Sequence, residues 1–126
     1  MHTYLNRFLS AAEADKKQKD LAKYFSEIML LHVDFIRFTP SMCAATSVYY
    51  MRLLTVSSDE IVWTRTLQHY ADYLQTDLHE CCQILHKKHL STKTHELRAV
   101  YDKFACPKYS QVADIEPLSE LPFSCE

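Results

Sequence analysis

The chain has 126 residues, which suits a single domain large enough to bury a substantial core. Hydrophobic residues make up 48% of it and charged residues 24%, a balance that is typical of a soluble globular protein. The net charge of −2, counted with neutral histidines, argues against a nucleic-acid-binding protein, because such proteins usually carry a basic patch or stripe. No apolar run approaches the roughly 18–20 residues that cross a bilayer, and the first residues lack an apolar signal-peptide core, so we expect neither a membrane protein nor a secreted one.

The composition also favours one fold class. The chain contains no glycine and 4 prolines. A fold rich in tight β-hairpins normally needs glycine at positive φ, so the absence of glycine argues against hairpins. We therefore expect an all-α fold, with helices joined by turns that form without glycine.

Two amphipathic helices are predicted near the N-terminus, over residues 3–14 and 18–33. In both, apolar side chains recur at the three- and four-residue spacing that places them on one helix face. A short charged break, Asp15-Lys16-Lys17, separates them, and residues 34–38 lead to the next helix. The predicted inner positions are Tyr4, Leu5, Phe8, Leu9 and Ala12 in the first helix, and Leu21, Tyr24, Phe25, Ile28 and Leu31 or His32 in the second.

The third predicted helix begins at Thr39-Pro40 and ends near Leu54. Threonine can cap a helix, and proline is favoured at the first helical position, where its missing N–H costs nothing. The segment is apolar on nearly every face, with Arg52 as its only charge. Helices without a polar face are usually buried on most sides, and the small residues at 44–47 would let neighbouring helices approach closely. We therefore predict that this is the central helix of the domain.

Three further helices are predicted, over residues 61–73, 77–90 and 94–104. Asp77 and Glu80 are spaced as in a capping box, and Pro107 ends the last helix. The acidic segment 114–126 is predicted to be an extended or disordered tail. The predicted inner positions are Trp63, Leu67, Tyr70 and Leu74, then Leu78, Cys81 or Cys82, Leu85 and His89, and finally Leu97, Val100, Tyr101 and Phe104.

Several short sequence motifs carry a family resemblance. They are RFL at 7–9 with AA at 11–12, AKYFSEI at 22–28, DFIRFTPS at 34–41, WT at 63–64 with HY at 69–70, AVYDKF at 99–104 and KY at 108–109. In their order and spacing over about residues 4–116, they resemble the second, C-terminal cyclin box of A- and B-type mitotic cyclins. The chain departs from the family pattern at Thr39, where leucine is common, and at Cys43, Cys81 and Cys82, where aliphatic residues are usual.

This resemblance implies an all-α cyclin fold over residues 1–113, with five helices around a central buried third helix and an extra C-terminal helix. It also implies a non-catalytic regulatory subunit of a cyclin-dependent kinase, which controls cell-cycle progression in the nucleus and cytoplasm. In the family the kinase is bound mainly through a first cyclin box, whose contact residues match no position of this chain. Partner-binding residues are therefore not identified, and no nucleic acid, membrane or cofactor is expected.

The richest candidate for chemistry is a group of histidines and cysteines in the fifth predicted helix. His79, Cys82 and His86 fall on one helix face, with Cys81 and His89 nearby, and such spacing could ligate zinc. The 5 cysteines of the chain are odd in number and scattered, without a CxxC pair, which is typical of reduced core thiols. Cys82 and His86 would be a nucleophile and its base, but a continuous helix offers no free N–H as an oxyanion donor. We therefore predict no catalytic, cofactor-binding or metal-binding residue.

Two other functions remain possible from the sequence. One is a cyclin-fold module of a transcription factor, against which the negative net charge counts. The other is a helical zinc or thiol protein that uses the histidine and cysteine group. Paired carboxylates, Asp59-Glu60 and Glu116 with Glu120, fall in a predicted loop and in the tail, where solvation is expected rather than acid–base catalysis.

Overall fold

Five α-helices form the framework of the part of the chain that the structure describes. The computed structural model describes residues 2–55, 61–90 and 102–103, with no strand among them. The helices are α1 (His2–Ala11), α2 (Lys16–Leu31), α3 (Pro40–Thr55), α4 (Arg65–Ala71) and α5 (His79–Leu90), and two 3-10 turns (Val33–Phe35 and Gln75–Leu78) precede α3 and α5. None of the helices in these ranges combines the length and apolarity needed to cross a lipid bilayer. The prediction of an all-α fold with five helices is confirmed.

The third helix is the central one, as predicted. Every residue from 43 to 52 is buried, and α1, α2, α4 and α5 all pack against this helix. Ala44 and Ala45 are fully buried, and their small side chains allow the neighbouring helices to approach closely. Because α3 has no solvent-facing side over these residues, the other helices are arranged around it.

Arg52, the single charged residue of α3, is buried and bonded to backbone carbonyls. Its Nε donates to the carbonyl of Val62 at 2.6 Å, and its Nη2 donates to the carbonyl of Ile61 at 3.0 Å. A buried guanidinium is tolerated when its N–H groups are satisfied, and here it binds the chain just before α4. The guanidinium of Arg52 therefore links α3 to the residues just before α4.

The junction between α1 and α2 differs from its prediction by a few residues. Helix α1 ends at Ala11, and Glu13 adopts a left-handed conformation with φ of 55°. Asp15 then caps α2, because its Oδ1 accepts from the N–H of Gln18 at 2.8 Å while Gln18 Oε1 accepts from the N–H of Asp15 at 3.1 Å. This reciprocal capping box starts α2 at Lys16, so the predicted charged break belongs partly to the helix.

Helix α4 is shorter than the predicted helix over residues 61–73. Thr64 caps it by accepting from the N–H of Leu67 at 3.1 Å, and Asp72 ends it in a left-handed conformation with φ of 62°. Trp63 is buried but precedes the helix, and its indole N–H donates to the carbonyl of Tyr73 at 3.0 Å. Both termini of α4 are therefore set by a capping residue next to it.

Two predicted inner positions near α4 are wrong. Tyr70 is 53% exposed and Leu74 is 52% exposed. The buried face of this short helix consists of Leu67 and Ala71, four residues apart, so Tyr70 lies beside that face. Leu74 lies beyond the end of the helix at Asp72, where the helical period no longer decides which way a side chain points.

The predicted capping box at Asp77 and Glu80 is also wrong. Asp77 lies in the 3-10 turn Gln75–Leu78, and its Oδ2 accepts from the N–H of Leu74 at 2.9 Å. Glu80 instead forms a salt bridge with Arg37, at 2.8 Å between Nη2 and Oε1. The carboxylate of Asp77 therefore caps the turn that leads into α5, and α5 continues from that turn.

The apolar faces of the other helices agree with the prediction at most positions. Tyr4 is exposed, and in the second helix Leu31 is exposed while His32 is half-buried. The confirmed inner positions are Leu5, Phe8, Leu9, Leu21, Tyr24, Phe25, Ile28, Leu78, Cys81, Cys82, Leu85 and His89.

The predicted sixth helix over residues 94–104 and the tail 114–126 lie almost wholly outside the described residues. Residues 102–103 are helical, and the ammonium of Lys103 lies 2.6 Å from Oε1 of Glu27. This salt bridge places Lys103 beside α2.

Replacing Ala45 with leucine should destabilise the protein by roughly 1–3 kcal/mol, because three additional carbons would overpack a fully buried helix contact. The free energy of unfolding can be measured by urea titration followed by circular dichroism. Ser10→Leu, at an exposed position of α1, is the matched control and should cause no comparable loss. An Ala45→Leu variant as stable as the parent would contradict the central position of α3.

Candidate functional site

The histidine and cysteine group of α5 faces the interior. Cys81, Cys82, His86 and His89 are buried, and His79 is half-buried. Helix α5 packs against α2 and α3, so these side chains lie between helices and not on an open surface. The predicted core role of the two cysteines agrees with this burial.

The thiols of α5 are held in the protonated form. Burial raises the pKa of the Cys82 thiol. A hydrogen bond with the Cys43 thiol of α3, together with burial, raises the pKa of the Cys81 thiol. Because the thiolate is the nucleophile, neither cysteine is activated for nucleophilic attack. The pairing of Cys82 with His86 as nucleophile and base thus finds no support in the electrostatics of the site.

His89 is part of a buried aromatic cluster. Its Nδ1 lies 2.8 Å from the hydroxyl of Tyr50, and its ring makes edge contacts with Tyr24, Phe25 and Tyr50 at centroid distances of 6.3, 5.1 and 5.5 Å. Burial raises the pKa of the Tyr50 phenol, so this hydroxyl keeps its proton, and the tautomer of His89 decides which of the two groups donates. The His89 side chain therefore joins α5 to α3 as a structural group.

The part of the chain that the structure describes also offers no ligand set for zinc. Within residues 2–55, 61–90 and 102–103, no three His, Cys, Asp or Glu side chains come together in an arrangement that could hold a metal ion. The remaining candidates from the sequence, Asp59-Glu60, Glu116, Glu120, Cys106 and Cys125, lie outside the described residues.

A surface feature that the sequence did not predict lies at the connection between α2 and α3. Four large apolar side chains are exposed there, namely Leu30, Leu31, Val33 and Ile36, the last two at 77% and 78%. We call these four residues the α2–α3 surface. Contiguous exposed apolar side chains on a soluble domain often mark a contact with another protein.

A groove borders the α2–α3 surface, and two salt bridges cross from the connection to α5. The cavity is about 650 Å³ and is lined by Val33, Asp34, Ile36, Arg37, Ile84, Lys87 and Lys88. Lys88 lies 2.9 Å from Asp34, and Arg37 lies 2.8 Å from Glu80. The hydrogen bond from Lys88 lowers the pKa of the exposed Asp34 carboxyl. The groove thus combines apolar walls with charged residues, of which Asp34, Arg37 and Lys88 are paired in this structure.

The sequence contained no direct signal for this surface. Leu30 follows the buried Met29, and Leu31 is the last residue of α2. Helical periodicity assigns a face only within a helix, and Val33 and Ile36 belong to a turn whose side-chain directions depend on how it packs. Exposure at these positions could therefore be recognised only once the neighbouring α5 was in place.

Comparison with known proteins gives a consistent result. The family model described as cyclin, C-terminal domain matches residues 1–118. The chain is 36% identical over 122 residues to a G2/mitotic-specific cyclin-A of Hydra viridissima, covering 94% of this chain and 28% of the relative. It is 36% identical over 115 residues to cyclin-B2-1 of Arabidopsis thaliana (91% and 26%) and 34% identical over 112 residues to a G2/mitotic-specific cyclin-B of Dictyostelium discoideum (89% and 26%). The chain therefore spans less than a third of the length of each of these relatives.

Replacing Tyr50 with phenylalanine should destabilise the protein by roughly 1–3 kcal/mol, because Nδ1 of His89 would lose its buried hydrogen bond. Thermal and urea unfolding would both report the change. Tyr70→Phe removes a hydroxyl from an exposed tyrosine and should be nearly neutral. Equal stability of the two variants would show that the contact between Tyr50 and His89 contributes nothing.

Thiol labelling should separate the cysteines into two groups. Cys43, Cys81 and Cys82 are buried and should react slowly in the native protein, whereas we expect Cys125, which lies outside the predicted helices, to react fast. The measurement is the number of labelled thiols over minutes, assigned by mass spectrometry, with guanidinium-unfolded protein as the control for full labelling. Immediate labelling of all 5 cysteines in the native protein would contradict the packing of α5.

Proposed function

The chain belongs to the cyclin C-terminal domain family, and on that premise we propose that it is the non-catalytic C-terminal cyclin-fold domain of a regulatory subunit for a cyclin-dependent kinase. The observation that carries this proposal is the family match across residues 1–118. The role proposed is control of cell-cycle progression, in the nucleus and cytoplasm. Two of the relatives are named as specific to G2 and mitosis, which supports a mitotic role.

The residues that the structure describes support a role in contacts with other proteins. The cysteines of α5 are buried and protonated, and His89 is bonded to Tyr50 inside the core. The features that reach the surface include the exposed apolar side chains of the α2–α3 surface and the paired charges beside them. Such features suit a domain that stabilises an assembly.

We propose that this domain and a first cyclin box have different roles in binding the kinase. In the family that this sequence resembles, that box makes the main contact with the kinase. A single domain contributing a smaller contact would bind the kinase weakly, because interfaces below about 1,000 Å² are usually transient. The domain described here would then act chiefly by supporting the first box.

The other two functions have less support. A cyclin-fold module of a transcription factor that contacts DNA would be expected to carry excess positive charge, whereas the net charge here is −2. A thiol enzyme would need a thiolate, whereas burial keeps the thiol of Cys82 protonated. A zinc protein would need a ligand set, and the described residues bring no three His, Cys, Asp or Glu side chains together. Neither nucleic acid nor a membrane is proposed as a partner.

Adding the purified chain to an inactive monomeric cyclin-dependent kinase should leave histone phosphorylation at its basal rate. The reason is that the proposed activating contacts belong to a first cyclin box. The matched positive control is a full-length mitotic cyclin assayed at the same concentration. The same chain fused behind a first cyclin box should stimulate the kinase.

Two results would contradict the proposal in different ways. Stimulation by the chain alone, comparable to that by the full-length cyclin, would place the activating surface in this domain. Failure of the fused protein to stimulate any cyclin-dependent kinase, with its helical content intact by circular dichroism, would remove the proposed regulatory function itself.

A further inference from the structure

The residue that departs from the family pattern before α3 also creates a sequence motif. Thr39-Pro40 is the only place in the 126 residues where serine or threonine precedes proline. A hydroxyl residue followed by proline is the minimal acceptor for proline-directed protein kinases. Both residues are exposed, as is the neighbouring Arg37. We propose that Thr39 is a phosphorylation site for a kinase of this class.

The backbone at Thr39 suits an acceptor. Proline restricts the residue before it to an extended conformation, which is the shape of a peptide in a kinase groove. Thr39 caps α3, accepting from the N–H of Met42 at 3.2 Å through its hydroxyl and from the N–H of Cys43 at 3.0 Å through its carbonyl. To present the residue, the first turn of α3 must loosen and the contact of its hydroxyl with Tyr73 must open. Terminal turns open more readily than helix interiors.

The hydroxyl of Thr39 lies in a small polar cluster. Its Oγ1 is 3.2 Å from the hydroxyl of Ser41 and 3.1 Å from the hydroxyl of Tyr73, and those two hydroxyls are 2.8 Å apart. Both neighbours can donate to phosphate oxygens, and the start of α3 favours negative charge. The adjacent cavity of about 250 Å³ is lined by Ser41 and Tyr73 together with Arg7, which adds a positive charge, and Asp72, which opposes it. The phosphorylated residue is therefore compatible with the folded domain.

The reaction is an ordinary phosphoryl transfer from ATP. A bond forms between Oγ1 of Thr39 and the γ-phosphorus, and the bond from that phosphorus to the oxygen bridging it to the β-phosphate breaks. ADP leaves, and the hydroxyl proton passes to the catalytic carboxylate of the kinase. The product carries close to two negative charges where α3 meets the polar cluster around Tyr73.

The experiment treats the 126-residue chain with ATP and a purified mitogen-activated protein kinase, and locates phosphate by mass spectrometry. We expect phosphate on Thr39, a rate lowered roughly tenfold or more by Pro40→Ala, and no phosphate at residue 39 in Thr39→Val. Thr39→Ser keeps both the cap and the acceptor and should be phosphorylated, and Ser10→Ala, at an exposed position of α1, should be phosphorylated at Thr39 at the parent rate. Circular dichroism of each variant confirms that the helices are intact.

Three outcomes would overturn the proposal. One is the absence of phosphate on Thr39 in the folded chain, whether or not a peptide of residues 34–46 accepts it. Another is a rate unchanged by Pro40→Ala, which would mean that the motif is not what the kinase reads. The third is loss of helical content on phosphorylation of Thr39, which would mean that the fold does not accommodate the phosphate. The assay is independent of cyclin-dependent kinase activation, so its result does not bear on the function proposed above.

Discussion

A helix that meets other helices on every side can carry a polar group only if that group is bonded inside the protein. This constraint on α3 shapes the rest of the structure. The hydroxyl of Ser47 donates to the carbonyl of Cys43, Tyr50 bonds to His89, and Tyr49 accepts from Gln75. Each of these groups is satisfied by its own turn or by a neighbouring element, since burial without a partner would cost about 1–3 kcal/mol. The polar residues of α3 thereby determine where α5 and the turn before it must lie.

Outside the core, two salt bridges link the connection between α2 and α3 to α5. Phe35 of this connection is buried in the core, whereas the salt bridges of Asp34 with Lys88 and Arg37 with Glu80 are substantially exposed. Exposed ion pairs contribute little stability, so their main effect is to align the connection with α5. That alignment leaves Val33 and Ile36 on the outside, where they can contact another protein.

The central helix could be predicted from the sequence because the evidence for it lies within a short stretch of the chain. The apolar residues of α3 and the periodic faces of α1, α2 and α5 reflect burial directly. Helix ends were predicted less well. The capping box of Asp15 and Gln18 is readable in the sequence but is partly concealed by Lys16 and Lys17, and the left-handed turn at Asp72 occurs without the glycine that would normally reveal it.

The candidate site was predictable to a similar degree. The cysteines of α5 lie on the inner stripe, so their burial followed from the helical period. The bond between Tyr50 and His89 joins residues 39 positions apart in the chain, and no local pattern contains that information. The same holds for the α2–α3 surface, whose exposure depends on which side chains of α5 come to lie beside it.

The two carbonyls bound by Arg52 have a consequence for how this domain can change during evolution. The guanidinium holds Ile61 and Val62 against the last turns of α3, so the segment 56–60 begins and ends at points that are fixed independently of it. Lengthening a loop between fixed ends costs little, since the entropy of closing it grows only with the logarithm of its length. Insertions in that segment can therefore accumulate without moving α4, while a change at position 52 would release the end of the segment at Ile61 and Val62.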